Sequence, residues 1–254
     1  MHKARKRFGQ NFLHDQRVID RIISAINPKP GQRIVEIGPG QGAMTEGLLA
    51  GTQGHLDVVE LDRDLVPILR AKFFQAAALT IHEADAMKFD FSALAQAKIR
   101  VVGNLPYNIS TPLIFHLLSH KDSISDMHFM LQKEVVERLC AEPGSSAYGR
   151  LGVMVQYYCD STHLFNVGPG AFNPPPKVDS AIVRLMPRPA TLQAKDEQVF
   201  ANLVRQAFSQ RRKTLKNNLK GLLTAEQIES LDISASIRPE KVSVEQFVAL
   251  SNLL

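Results

Sequence analysis

Apolar positions along the chain follow one period for the first thirty residues and another for the next hundred. Val18, Ile19, Ile22, Ile23 and Ile26 recur at helical spacing behind Asp15, a residue suited to capping a helix, and Asn27, Pro28 and Pro30 end the run. Five short apolar stretches then read as buried strands: "RIVEIG" (33–38), "HLDVVEL" (55–61), "ALTIHEAD" (78–85), "IRVVGN" (99–104) and "DMHFMLQ" (126–132). Helical patterns separate them at 44–49, 65–74, more weakly 91–95, and 112–118. Strands alternating with helices in this way predict an α/β fold with a mostly parallel sheet covered on both faces. Two more helical stretches, "KEVVERLCA" and "RLGVMVQYY", flank the loop "EPGSSAYG". Two last strands, "THLFNV" (162–167) and "KVDSAIVRLM" (177–186), flank "GPGAFNPPP". From Arg188 the pattern is helical, with Val199, Leu203, Val204, Ala207 and Phe208 on one face and Phe247, Leu250 and Leu254 on another. The two prolines of "MPRPAT" mark a boundary, which predicts one domain over 1–187 and a small helical one over 188–254.

Composition narrows the class. A chain of 254 residues, 44% hydrophobic and 22% charged, can bury one sizeable core with a smaller appendage. No apolar run approaches the ~18 residues of a membrane span. The N-terminal "MHKARKRFGQNF" is basic but lacks the apolar stretch of a secretory signal, so a cytoplasmic, non-membrane protein is expected. Cys140 and Cys159 stand at no metal-ligand spacing, and neither a disulfide framework nor a metal site is expected. The net charge of +5 is unevenly spread. Lys3, Arg5, Lys6 and Arg7 precede the first acid, Asp15, while Arg205, Arg211, Arg212, Lys213, Lys216 and Lys220 occupy a stretch without acids between Glu197 and Glu226. A solvated helix face would account for either cluster; both together favour a polyanionic partner.

The first chemical motif is "VEIGPGQGA", between a strand and a helix. Gly38, Gly40 and Gly42 allow a sharp turn and close approach of the backbone to a ligand. With Gly38, Gly40 and Ala43 the loop also satisfies a dinucleotide fingerprint, and Glu60 falls near the ribose-binding distance downstream. Glu36, Glu60, Asp62 and Asp85, however, line up near the C-terminal ends of successive strands. Such carboxylates oppose a pyrophosphate and suit S-adenosylmethionine, which carries a sulfonium, an ammonium, a ribose diol and an adenine. Glu60 is the expected acceptor for the ribose hydroxyls and Asp85 for the adenine amine.

The second motif is "VVGNLPYNIST" (101–111), at the end of the fourth sheet strand and hence in the same crevice. An exocyclic aromatic amine is a poor nucleophile because its lone pair is delocalised into the ring. Asn104 Oδ1 and the Leu105 carbonyl can accept its two protons and favour a pyramidal nitrogen with a localised lone pair. Pro106 fixes φ and holds that carbonyl rigidly, and Tyr107 offers a face for a purine. A plain Asn-Pro turn with a half-buried Tyr is the competing account, made weaker by the neighbouring glycine loop. Phe172, at the entrance of the rigid "AFNPPPKVD" loop, reads equally as core anchor or base platform.

Together "RKRFGQNFLHD", "VEIGPGQGAMT", "VELDRD", "EADAMKFDF", "GNLPYNISTPLIFHLL", "HFMLQKEV", "YGRLGVMVQYY", "AFNPPPKVDSAIVRL" and "FSQRRKTLKNNL" closely resemble the small-subunit ribosomal RNA adenine N6-dimethyltransferases, the KsgA/RsmA group. The resemblance runs from about residue 5 to the C-terminus. It implies a class I S-adenosylmethionine-dependent methyltransferase fold, Rossmann-like, with a seven-stranded mostly parallel sheet and a small all-helical C-terminal domain. It also implies dimethylation of N6 on two adjacent adenosines near the 3′ end of 16S rRNA, in the small (30S) subunit or its precursor, late in assembly, by a monomer. Carried over residue by residue, Asn11, Leu13, Gly38, Glu60, Asp85 and Asn104 contact the cofactor, Asn104 to Tyr107 clamp the amine, and Tyr107 and Phe172 stack on the adenine. The cations at 205, 211, 212, 213, 216 and 220 track RNA phosphates. Competing functions are methylation of large-subunit rRNA, a non-catalytic RNA-binding factor, and a nicotinamide-dependent oxidoreductase resting on the glycine loop alone.

Overall fold

The structure, a computed structural model, describes residues 10–94, 97–189 and 193–254. The cations Lys3, Arg5, Lys6 and Arg7, the end of the weak helical pattern at 95, and 190–191 of the proline-marked boundary lie outside the described residues. The strands are β1 (Phe12–Leu13), β2 (Ile34–Ile37), β3 (Leu56–Glu60), β4 (Leu79–Glu83), β5 (Ile99–Asn104), β6 (Ile124–Gln132), β7 (Cys159–Val167), β8 (Phe172–Asn173) and β9 (Ser180–Pro187). The helices are α1 (Gln16–Ile26), α2 (Thr45–Thr52), α3 (Leu65–Lys72), α4 (Ser110–Ser119), α5 (Lys133–Leu139), α6 (Arg150–Tyr158), α7 (Glu197–Ala207), α8 (Leu215–Asn218), α9 (Ala225–Glu229) and α10 (Val244–Ser251).

The seven-stranded sheet has the order β4-β3-β2-β5-β6-β9-β7. Strands β2 to β6 pair in parallel, and β9 runs antiparallel to β6. Every residue of β2 and β3 is buried, as befits central strands covered on both faces. The chain lays β3 and β4 to one side of β2, then crosses to lay β5 and β6 on the other. The loops leaving β2 and β5 therefore diverge at the point where the order reverses, the usual position of a ligand crevice in such sheets.

Local signals explain the elements around that crevice. Asp15 accepts from the N–H groups of Arg17 and Val18 at the start of α1, and Asn27 ends it in the left-handed region at φ 50°. Ile19, Ile22 and Ile26 bury their side chains, roughly 1.5–3 kcal/mol each relative to exposure. The weak pattern at 91–95 is a single 3-10 turn, Phe91–Leu94, anchored by the fully buried Phe91. The pairing of β1 with β8, with Leu13 opposite Phe172, was not anticipated, because two-residue strands carry no period.

By contacts the chain forms two units. One comprises the chain up to Val136 and Thr162–Pro187; the other comprises Glu137–Ser161 and Arg188–Leu254. The prolines at 187 and 189 mark only the last crossing between them. The first crossing falls inside α5, where no breaker interrupts the helix and the sequence leaves no sign of a boundary. Within the second unit Tyr157 packs on Phe200 with ring centroids 4.5 Å apart, Phe208 meets Phe247 at 5.6 Å, and Tyr148 Oη donates to the Val242 carbonyl at 2.8 Å. The contacts of Tyr157 and Tyr148 bind the 137–161 segment to the C-terminal part of the chain.

Candidate active site

Close backbone packing sets the crevice. Gly38, Gly40 and Gly42 all adopt positive φ (64°, 59° and 78°), which lets the chain double back after β2. Gly103 serves a different purpose, because a Cβ there would lie 2.5 Å from the Ile37 carbonyl oxygen. The missing side chain lets β5 approach β2 just before Asn104. Between the two loops lies a cavity of ≈180 Å³, walled also by residues 10–13, the end of β3, and the 84–86 segment that follows β4.

The donors and acceptors around this cavity discriminate between ligands. The Gly38 N–H donates to the Val59 carbonyl at 2.9 Å, the Gly42 N–H to the Pro39 carbonyl at 2.8 Å, and the Gly40 N–H to Glu60 Oε2 at 3.3 Å. The glycine N–H groups that would cradle a pyrophosphate are therefore committed, one of them to a carboxylate. Glu60 is 6% exposed and also accepts from the Asp62 N–H at 2.8 Å; burial, above all, raises its pKa. Glu36, buried beneath the loop, accepts from Thr45 Oγ1 at 2.6 Å. Burial pushes its pKa up to about 7, the Thr45 hydroxyl opposes that rise, and the nearby Glu60 adds to it. Asp85 is half-buried, turned by its own acceptance from the Met87 N–H at 2.9 Å. Anionic walls and occupied amides fit a cationic ligand with a diol and an amine.

Across the cavity stands the second motif. Asn104 Nδ2 donates to the Asn11 carbonyl at 3.1 Å, which commits one of its two N–H groups and leaves Oδ1 as the acceptor of the side chain. The Leu105 N–H donates to the Met130 carbonyl at 3.2 Å, which anchors the peptide just before the one that carries the Leu105 carbonyl. Pro106 begins a turn closed by the Ile109 N–H on its carbonyl at 3.2 Å. Tyr107 is half-buried, lines the cavity, and shares a 2.7 Å hydrogen bond between its Oη and Ser180 Oγ.

The whole chain, residues 1–254, matches the family described as "Ribosomal RNA adenine dimethylase". The chain belongs to this family. It is 60% identical to the "Ribosomal RNA small subunit methyltransferase A" of Pseudomonas aeruginosa, over 100% of this chain and 95% of that one. With the protein of the same name from Pseudomonas putida it shares 61%, over 100% and 96%. Among solved structures it resembles a dimethyladenosine transferase from Plasmodium falciparum (TM-score 0.82, 30% identity, 94% of this chain and 95% of that one). It also resembles the 23S rRNA methyltransferase ErmE (TM-score 0.78, 25% identity, 95% and 98%). The mostly parallel seven-stranded sheet is thus the class I methyltransferase fold.

In this dimethylase the cavity gathers Asn11, Leu13, Gly38, Glu60, Asp85 and the Asn104–Tyr107 run. Phe172 is not among its walls. It is 3% exposed, paired with Leu13 across β1 and β8, and packed into the apolar cluster that holds Ile19, Ile22 and Met44. Among the described residues no group of His, Cys, Asp and Glu could hold a metal, and no helix is long and apolar enough to cross a membrane.

The basic residues belong to the second unit. Arg205 lies on α7, Arg211, Arg212 and Lys213 on the turn after it, Lys216 on α8 and Lys220 just beyond; all six are exposed. The buried Asn218 stitches that turn, its Nδ2 donating to the carbonyls of Gln210 (3.2 Å) and Lys213 (3.4 Å). Reasoning from sequence missed Asn218 as well as Gln10, whose Nε2 donates to Asp62 Oδ2 at 2.9 Å, and Ser180. It also missed Lys72, whose Nζ braces the glycine loop through the carbonyls of Gln41 (3.3 Å) and Gly42 (3.2 Å). None of these sits in a spacing that signals its partner.

Proposed function

We propose that this enzyme transfers methyl groups from S-adenosylmethionine to N6 of two adjacent adenosines near the 3′ end of 16S rRNA, within the small ribosomal subunit or its precursor. The observation that carries the reading is the state of Asn104. Asn104 lines the cavity together with Leu105 and Tyr107, one of its amide N–H groups is tied to the Asn11 carbonyl, and its Oδ1 can serve there as an acceptor.

The residues do the work in a fixed order. Tyr107 receives the purine face, a contact worth roughly 1–3 kcal/mol, which offsets part of the cost of taking the base out of its stack. Asn104 Oδ1 and the Leu105 carbonyl then accept the two amine protons and hold the nitrogen pyramidal, so that its lone pair projects from the ring plane. Asn11, Leu13, Gly38, Glu60, Asp85 and Asn104 would hold S-adenosylmethionine, with Glu60 towards the ribose hydroxyls and Asp85 towards the adenine. When bound, that cofactor supplies a sulfonium methyl, whose C–S bond breaks as the new C–N bond forms. No strong base is required of the protein, because the methylated nitrogen is acidic while it carries its charge and loses its proton to water. The exposed cations of the second unit would meet phosphates without reading bases.

The likeness to a 23S rRNA methyltransferase favours a second reading, in which the target adenosine lies in the large subunit. Transfer of labelled methyl groups from S-adenosylmethionine separates the two. The acceptors are small subunits lacking dimethyladenosine, large subunits and naked rRNA, with Asn104→Ala in parallel. Label that reaches dimethyladenosine on small subunits alone and disappears in the variant is the expected result. Label on large subunits would replace the substrate, and RNA binding without label would replace the chemistry with that of a binding factor.

A further inference from the structure

The amine clamp has two acceptors, and an adenine that already carries one N6 methyl has a single N–H to give them. The second transfer must therefore rely more on whatever holds the ring than the first does. Tyr107 is held at both ends. Its hydroxyl meets Ser180 Oγ at 2.7 Å, and its carbonyl accepts from Ser110 Oγ at 3.2 Å. Ser180 is 0% exposed at the start of β9 and Ser110 is 2% exposed at the start of α4, so both hydroxyls sit on rigid elements with no water competing. The Ser180 end is fixed in turn by register with Gln132 at the end of β6 and by the Lys133 N–H on the Asp179 carbonyl at 2.9 Å. A stacking platform alone has no use for a phenolic oxygen; a phenylalanine would stack as well.

We propose that Ser180 is a positioning residue for the second methyl transfer: through Tyr107 Oη it locks the ring on which monomethyladenine must stay aligned when half of the clamp's hydrogen bonds are gone. In each transfer N6 uses its lone pair to form a C–N bond while the methyl's bond to sulfur breaks with its electrons, and one N–H proton leaves to water. Monomethylated N6 has one such proton, so a tilt of the ring costs the second transfer more than the first. This inference rests on the adenine dimethylation reading given above.

The test compares Ser180→Ala, Ser180→Thr and Tyr107→Phe with the unaltered enzyme on small subunits lacking dimethyladenosine, scoring the ratio of mono- to dimethyladenosine at equal total methylation, with cofactor and subunit affinities measured separately. A variant that merely loses folded enzyme slows both transfers alike and leaves the ratio unchanged. The expected result is an accumulation of monomethyladenosine of about tenfold in Ser180→Ala and in Tyr107→Phe. The Ser180→Ala and Tyr107→Phe double variant, made alongside, should be no worse than either single one, affinities should stay within about twofold, and Ser180→Thr, which keeps the hydroxyl, should recover the unaltered ratio. An unchanged ratio in Ser180→Ala, or additive losses in the double variant, overturns the inference while the function stands. Absence of dimethyladenosine from the unaltered enzyme overturns the function itself.

Discussion

The crevice between β2 and β5 and the basic turn after α7 are both candidate contacts with RNA, yet they are built on opposite principles. In the crevice nearly every polar group already has a partner inside the protein. Asn104 is tied to Asn11, Glu60 to Gly40 and Asp62, Glu36 to Thr45, and Tyr107 to Ser180. On and around the turn the six cations are exposed, and beneath them the buried Asn218 amide ties the carbonyls of Gln210 and Lys213. Pre-paired groups in a low-dielectric cavity act through geometry, so a small displacement removes most of their effect. Solvated charges act through number, so each contributes a small and salt-dependent share.

The largest expected effect follows from that contrast. Asn104→Ala removes one of two acceptors from a preorganised site, and kcat for methyl transfer should fall by about 10²–10³-fold, the scale seen when one such polar group is lost. The salt dependence of RNA binding should not change. A loss of only two- or threefold would mean that the crevice is no more demanding than the turn.

The second effect is a pH dependence of stability. Glu36 ordinarily titrates near 4.5 and is pushed up to about 7 in the folded protein, chiefly by burial. Folding therefore favours its protonated form. The contribution is fully present below pH 4.5 and is lost as pH rises through 7, amounting to about 3 kcal/mol across that span. Thermal melts of the ligand-free protein should show a lower midpoint at pH 8 than at pH 5.5. Glu36→Gln, which can still accept from Thr45, should flatten that slope. An unchanged slope in the variant would show that Glu36 does not carry it.

Gly103→Ala tests how closely the crevice is packed. The new methyl group would sit 2.5 Å from the Ile37 carbonyl and 3.1 Å from Leu105 Cδ2, and relieving that overlap should cost about 1–3 kcal/mol of stability. It must also move Asn104, so kcat should fall more than the melting temperature alone explains. A variant that melts early yet turns over normally would detach the clamp from the strand spacing.

The same contrast decides what was legible before the structure. Period and punctuation revealed the sheet strands and α1, because buried parallel strands and an amphipathic helix must write their burial into the sequence. The Asn104–Tyr107 run was legible as a candidate because its residues are consecutive. Ser180 was not, since it meets Tyr107 across 73 residues. Nor was the burial of Phe172, because nothing in "AFNPPPKVD" announces that β8 will pair with the two residues of β1. Glu137–Ser161 joined the second unit through Tyr157 and Tyr148, aromatic contacts to partners far along the chain. Contacts made at long range leave no local pattern, and these are the ones that fix geometry.

The smallest expected effect belongs to the turn. Arg212 is exposed, and its replacement by Gln should weaken binding to small-subunit RNA only a few-fold at physiological salt. The informative quantity is the slope of log affinity against log salt concentration, which should become shallower by about one if Arg212 neutralises one phosphate. Asn218→Ala provides the counterpart, because it removes no charge but frees the carbonyls of Gln210 and Lys213. If the turn works through charge number alone, Asn218→Ala should leave both slope and affinity nearly unchanged. If the shape held by Asn218 matters, affinity should fall at constant slope, and the turn would then share the crevice's dependence on geometry despite its solvated surface.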